Sequence, residues 1–288
     1  MELHGTITAM VTPFTKDDHV DYGALKAFVD WQCESGVEGL CPVGTTGESP
    51  TLSHDEHHEV IAKVIEYAAG RVKIIAGTGA NSTAEAVSLT QDVIARGGAD
   101  ATLQVTPYYN KPTPEGMYRH FSEVADKCGL PVVLYNVPGR TGKEIPVDVI
   151  ARLSTNPLMV AVKEAGGSVE RVNQIRDACG ITVLSGDDSL TLPMMSVGAT
   201  GVVSVASNLY PEKVVKLVDF ALQGRFVEAG ELHRELYPLF RDLFIESNPI
   251  PVKAAMAHLG MIAEEYRLPM CEISQKNREI LLKTLSRY

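Results

Sequence analysis

Short apolar runs recur along this chain, each followed by a turn, and that rhythm limits the folds open to it. Strand-like runs fall at residues 6–12, 39–43, 73–76, 101–106, 132–135, 159–163, 182–184 and 201–205. Their starts lie roughly 20 to 33 residues apart, the length of a strand, a helix and two loops. Between them lie stretches with helical periodicity, such as Ala24-Leu25 followed by Phe28-Val29, and Val60-Ile61 followed by Val64-Ile65. Capping boxes, Ser53 with Glu56 and Ser82 with Glu85, predict two helix starts. Eight strands alternating with helices predict an α/β fold, a parallel (β/α)8 TIM barrel, with a doubly wound open sheet as the runner-up. The barrel is complete by about residue 208, and after Pro211 the pattern turns helical over 212–223, 226–244, 250–259 and 271–285. The expected division is a catalytic barrel over 1–224 and an all-α C-terminal appendage over 225–288.

Charge and cysteine usage narrow the function. Lys and Arg number 26 against 36 Asp and Glu, a formal net charge of −10, and no basic run is present. Nucleic acid is therefore not expected as a partner. The five cysteines, Cys33, Cys41, Cys128, Cys179 and Cys271, are scattered, with no C-x-x-C pair. That argues against a disulfide framework or zinc knuckle and fits a reducing, cytoplasmic setting. Neither a signal-peptide pattern nor a membrane-spanning apolar stretch is apparent.

In a barrel of this kind, chemistry collects at the C-terminal ends of the strands. Lys163 ends the run Leu158-Met159-Val160-Ala161-Val162 and precedes Glu164-Ala165-Gly166-Gly167. It is the one lysine that closes a predicted strand. A buried amine loses part of the solvation that favours its ammonium form, and the free amine is the nucleophile that Schiff-base chemistry requires. A solvated lysine at a strand end is the plainer reading of this run alone.

The other strand ends bring hydroxyls, glycine backbone and phenols. Gly44-Thr45-Thr46-Gly47-Glu48 is a glycine-flanked turn whose N–H groups and hydroxyls suit a small carboxylate, although an ordinary βα turn has the same composition. Tyr135 and Tyr109 are possible proton carriers, and equally core or interface residues. Arg140, held between glycines after Pro138, could clamp a carboxylate or form a surface ion pair. Gly77-x-Gly79 lacks the third glycine of a dinucleotide fingerprint. Asp187-Asp188 reads as helix capping rather than a metal site, so neither metal nor organic cofactor is expected. His54, His57 and His58 fall on a first helical turn and are expected to be exposed.

Taken together, Gly44 to Glu48, Thr106-Pro107-Tyr108-Tyr109-Asn110, Tyr135 to Gly142, Lys163-Glu164-Ala165 and Ser185-Gly186-Asp187-Asp188 resemble the dihydrodipicolinate synthase family of pyruvate-dependent class I aldolases. The resemblance extends through Pro249-Ile250-Pro251-Val252-Lys253 to the C-terminal helices. It implies that Lys163 captures pyruvate as a Schiff base and that Tyr135 relays protons. Thr45 would link Tyr135 to a Tyr109 supplied by a neighbouring subunit. It also implies that Thr46 holds the pyruvate carboxylate, that Gly186 and Val203 line the pocket, and that Arg140 binds the carboxylate of aspartate semialdehyde. A homotetramer, a dimer of dimers, is implied as well. So is an allosteric lysine site made of Ser49, Pro50, His54, His57, Asn81, Glu85 and Tyr108. Sister lyases that act on N-acetylneuraminate or keto-deoxy sugar acids share the lysine and the tyrosine. Arg140 and the paired threonines favour the synthase branch. A non-catalytic metabolite sensor would have no use for Lys163, Tyr135 and Tyr109 together.

Overall fold

A computed structural model describes all 288 residues. The strands are β1 (Gly5–Ala9), β2 (Gly39–Cys41), β3 (Lys73–Gly77), β4 (Ala101–Val105), β5 (Val132–Asn136), β6 (Met159–Glu164), β7 (Thr182–Ser185) and β8 (Gly201–Ser204). They close a parallel barrel in sequence order, with β1 also pairing β8. The open-sheet alternative is thereby excluded.

Period-two alternation sorts the strand residues between two cores. Inward-facing Ile7, Cys41, Leu103, Tyr135, Leu184 and Val203 belong to the cluster that fills the barrel. Outward-facing Leu40, Ile74, Leu134, Val162, Val183 and Val202 join a larger cluster with the surrounding helices. Burial on both faces explains why these runs are nearly continuous in apolar residues.

Several expected boundaries shift for local reasons. β2 stops at Cys41 rather than at residue 43, because Pro42 has no N–H to donate and Val43 sits at φ +54°. β1 stops at Ala9 rather than at residue 12, because the ladder to β2 ends with the very next N–H. Met10 N bonds the Cys41 carbonyl, and Val11 N bonds Asn208 Oδ1. The capping box at Ser53 forms in full. The one expected at Ser82 does not: Ser82 precedes the helix Thr83–Ala95 without a side-chain cap bond. Its intended partner, the Glu85 carboxylate, instead lies 3.1 Å from His54 Nε2. Two of the three histidines also depart from expectation. His54 is exposed, but His57 and His58 are buried, because the helix His54–Ala68 turns His57 toward β3 and His58 toward Asp92 of the helix Thr83–Ala95.

After the eighth strand come helices Pro211–Leu222, Phe226–Asp242, Ile250–His258 and Gln275–Leu285. The last begins four residues later than expected, where Ser274 N and Oγ both bond Glu246 Oε1. Leu236, Leu239, Val252 and Leu281 of these helices share one apolar cluster with Val11, Phe14 and Val205 of the barrel. The C-terminal helices therefore lie against the end of the barrel where the site is found. No helix is long and apolar enough to cross a membrane.

Candidate active site

Register brings the two principal candidate side chains together. Tyr135 on β5 pairs with Lys163 on β6, so both stand at the same height in the barrel mouth. Lys163 Nζ lies 4.3 Å from the centre of the Tyr135 ring, and the lysine is only 6% exposed. Its amine has no hydrogen bond or ion pair within the chain. The adjacent carboxylate, Glu164, faces the other side of β6, as strand alternation requires. Glu164 is fully buried there and accepts from Asn136 Nδ2, Gly166 N and Arg171 Nε, so it cannot neutralise Lys163.

Gly186, after β7, gives the lysine its room. A Cβ at this position would stand 2.7 Å from Ala165 Cβ and 3.0 Å from Lys163 Cε, so any side chain here displaces the amine. Cys41 lines the same cavity, and burial pushes its thiol up to about 11, which keeps it a neutral wall at pH 7. Asp187 and Asp188 act as caps, as expected. Asp187 Oδ1 accepts from Ser189 N, while Asp188 Oδ2 accepts from Val205 N and Ala206 N at 3.0 and 2.9 Å.

The cavity around Lys163 is also lined by Thr45, Thr46, Tyr135, Arg140 and Gly186. Six residues singled out from sequence thus converge on one hollow. Thr45 lies with Tyr135 on the wall of this hollow and of the adjoining groove, but no hydrogen bond links the two. Arg140 reaches it from the short helix Pro138–Thr141, with Nη2 donating to the Asn248 carbonyl at 3.2 Å. Val203 sits in the inner layer beside Leu184 and Tyr135, and Val205, two positions on, reaches the cavity wall.

Tyr109 does not join its own chain's site. It is 89% exposed, at φ +71°, on a loop pinned by Asn110 Nδ2 to the Asn81 carbonyl. The remaining sequence-selected residues gather at the adjoining rim. Ser49, Pro50 and Tyr108 line a groove that opens toward Arg140 and Tyr135. Asn81 Nδ2 donates to the Tyr108 carbonyl at 3.2 Å, and His54 meets Glu85. His57 Nε2 lies 2.9 Å from the Gly77 carbonyl, and burial holds its pKa down to about 4. It is therefore neutral at pH 7 and donates through Nε2.

Lys253 and Asn248, to which the sequence motifs assign no role, support the threonine loop. Glu48, at φ +55°, is buried and takes an ion pair from Lys253 Nζ at 2.5 Å. Lys253 is itself fully buried, with its ammonium 4.2 Å from the centre of the Phe14 ring, and burial lowers its pKa despite Glu48. Asn248 donates to Thr46 Oγ1 at 2.9 Å. A signal for Lys253 existed: one lysine inside the apolar stretch Ile250-Pro251-Val252-Lys253-Ala254-Ala255-Met256 demands a buried acidic partner. Nothing local marks Asn248.

The chain is similar over its whole length to proteins of known identity. It is 50% identical over 288 residues to the 4-hydroxy-tetrahydrodipicolinate synthase of Methanococcus vannielii, covering 99% of this chain and 98% of that one. The structure of the enzyme of that name from Methylacidiphilum fumariolicum SolV superposes with a TM-score of 0.97 at 50% identity, covering 99% and 96%. A dihydrodipicolinate synthase from Acinetobacter baumannii, solved as chloride-inhibited and complexed with pyruvate, superposes at 0.96 with 43% identity, covering 99% and 98%. The sequence model of the dihydrodipicolinate synthetase family matches residues 2–288, and this chain belongs to that family.

Proposed function

We propose that this enzyme condenses pyruvate with L-aspartate 4-semialdehyde, through a Schiff base on Lys163, to give 4-hydroxy-tetrahydrodipicolinate for lysine and diaminopimelate synthesis. The observation that carries the reading is a nearly buried, unpaired amine beside the Tyr135 phenol, in a cavity that also holds Arg140. Lys163 Nζ attacks the pyruvate keto carbon, and water leaves as the imine forms. Tyr135 passes the protons. The protonated imine acidifies the methyl group, whose loss of a proton gives an enamine carbon nucleophile. That carbon attacks the semialdehyde aldehyde, whose oxygen takes up a proton. The semialdehyde amine then displaces Lys163 from the imine carbon, closing the ring and freeing the enzyme. Thr46 holds the pyruvate carboxylate, and Arg140 holds that of the second substrate through its planar fork. No metal or organic cofactor enters these steps.

The exposure of Tyr109 supports its insertion into a second copy, where it would extend the Thr45–Tyr135 proton path. We accordingly assign a homotetramer built as a dimer of dimers, a barrel over 1–224 with a helical domain over 225–288, and a cytoplasmic location. The rim cluster of Ser49, Pro50, His54, His57, Asn81, Glu85 and Tyr108 supports feedback inhibition by lysine, whose ammonium groups suit Glu85 and the Tyr108 carbonyl. Millimolar lysine should slow turnover, and an unchanged rate would refute the inhibition. The reaction itself is tested by supplying pyruvate with each of two acceptors. Product from aspartate semialdehyde alone is expected; product from N-acetylmannosamine alone would move the enzyme to the sialic-acid lyases. Borohydride should trap pyruvate on Lys163, and a failure to trap it would sink the Schiff-base mechanism.

A further inference from the structure

Asn248 touches both proposed carboxylate holders, although it lies beyond the barrel, between the helices Phe226–Asp242 and Ile250–His258. Its side-chain Nδ2 donates to Thr46 Oγ1 at 2.9 Å, and its main-chain carbonyl accepts from Arg140 Nη2 at 3.2 Å. It is 5% exposed and lines the cavity that holds Lys163. Its Oδ1 is buried without a partner. A buried polar atom left unsatisfied is a cost that a small apolar residue would avoid, so the amide is retained for what its N–H does.

A threonine hydroxyl has one proton and two acceptor sites. With Asn248 donating to the oxygen, the Thr46 proton is free to point elsewhere. A carboxylate accepts and never donates, so this is the state of the hydroxyl that binds one.

We propose that Asn248 is a positioning residue that orients the Thr46 hydroxyl as a donor toward the pyruvate carboxylate, while its carbonyl sets the Arg140 guanidinium for the second carboxylate. The inference rests on the proposed function and extends it to a residue of the C-terminal segment. The two contacts differ in what mutation removes. Asn248→Ala deletes the amide but leaves the carbonyl on Arg140. Asn248→Asp keeps the shape but makes the side chain an acceptor, which turns the Thr46 proton away from substrate and adds a like charge.

Calorimetric titration with pyruvate, together with steady-state kinetics, tests this. Asn248→Ala should weaken pyruvate binding about tenfold, the loss of one oriented hydrogen bond, and raise the pyruvate KM in step. The semialdehyde KM should change by less than about twofold, since the Arg140 contact survives, and kcat should hold. Asn248→Asp should weaken pyruvate binding further, and it carries the test if the alanine variant fails to fold. In a Thr46→Val background, Asn248→Ala should add little, because the hydroxyl it orients is gone. Equal losses for both substrates, or full additivity with Thr46→Val, would assign Asn248 a merely structural role and overturn the proposal. Borohydride trapping on the unmodified enzyme reads the Schiff base separately. Pyruvate that binds with the predicted Asn248 dependence but is never trapped would sink the reaction while leaving the positioning role intact.

Discussion

Lys163 and Lys253 are both buried lysines at the same end of the barrel, and their surroundings are opposite. Lys163, on β6, has no acidic partner and faces an aromatic ring across a cavity. Lys253, in the C-terminal segment, is ion-paired to Glu48 at 2.5 Å and flanked by Phe14 and Tyr266. The contrast holds for the regions around them. The barrel mouth leaves the Thr45, Tyr135 and Lys163 side chains free of internal hydrogen bonds. In the C-terminal segment, Arg267 bonds Asp18, Glu56 and the Thr51 carbonyl, and Tyr266 bonds the Ile250 carbonyl. Thr45, Tyr135 and Lys163, proposed to act on substrate, are left unspent, whereas Arg267 and Lys253, which hold loops still, are paired. The strain of Glu48 at positive φ is offset on the satisfied side, next to the threonines that need placing.

Mutating the two lysines is the sharpest way to break the comparison. Lys163→Ala should cut turnover at least roughly a thousandfold, as removing a covalent nucleophile does, and abolish borohydride trapping. Its melting temperature should hold or rise, since no pairing is lost. Lys253→Met should do the reverse, destabilising the fold by about 3–5 kcal/mol because the Glu48 carboxylate stays buried without its cation. Denaturant unfolding reads that loss, and adding Glu48→Gln should recover most of it. A stable Lys253→Met enzyme would show that the C-terminal segment does not hold the threonine loop.

Tyr135→Phe removes only the phenol hydroxyl from the unspent side. It should lower kcat roughly a hundredfold, the usual share of a positioned proton carrier, with little change in melting temperature. Full activity in this variant would transfer the proton relay to another group.

A smaller, pH-dependent effect sharpens the comparison, because two further bases are buried and partly unbonded without any substrate to meet. His57 and His120 each have one orphaned ring nitrogen, and burial holds both pKa values down to about 4, against 6.5 in the unfolded chain. Burial pushes Asp188 the other way, up to about 6 from 3.8. Between about pH 6 and 4, the unfolded chain holds two histidine protons that the native state refuses. The native state takes up one proton, on Asp188, that the unfolded chain does not. The net of one proton favours unfolding, so these three groups cost about 1.4 kcal/mol of stability per pH unit in that window. His120→Asn removes one of the two histidine protons and should flatten the dependence, as melting curves between pH 7.5 and 4.5 would show. An unchanged slope would locate acid sensitivity elsewhere.

The regions also differed in how far they could be read in advance. Barrel strands are visible because each buries both faces locally, and the strand-end rule then picked out Lys163, Tyr135, Arg140 and the threonines. Boundaries slipped where backbone chemistry overrode pattern, as at Pro42. The Ser82 capping box failed because Glu85 has a partner on another helix. His57 and His58 are buried because their helix presents polar residues on a face that nonetheless packs on β3 and on the helix Thr83–Ala95. The C-terminal helices showed themselves by periodicity, but not their role at the cavity.

By itself, the sequence determined the barrel, its order of strands and the residues at their ends. These follow from apolar period and turn chemistry, which act between neighbours in the chain. Tertiary structure alone decided that Asn248 meets Thr46 and that Lys253 meets Glu48, contacts across 202 and 205 positions. Such bonds leave no local period. They depend on where the last helices come to rest, and that is set by the apolar core these helices share with the barrel.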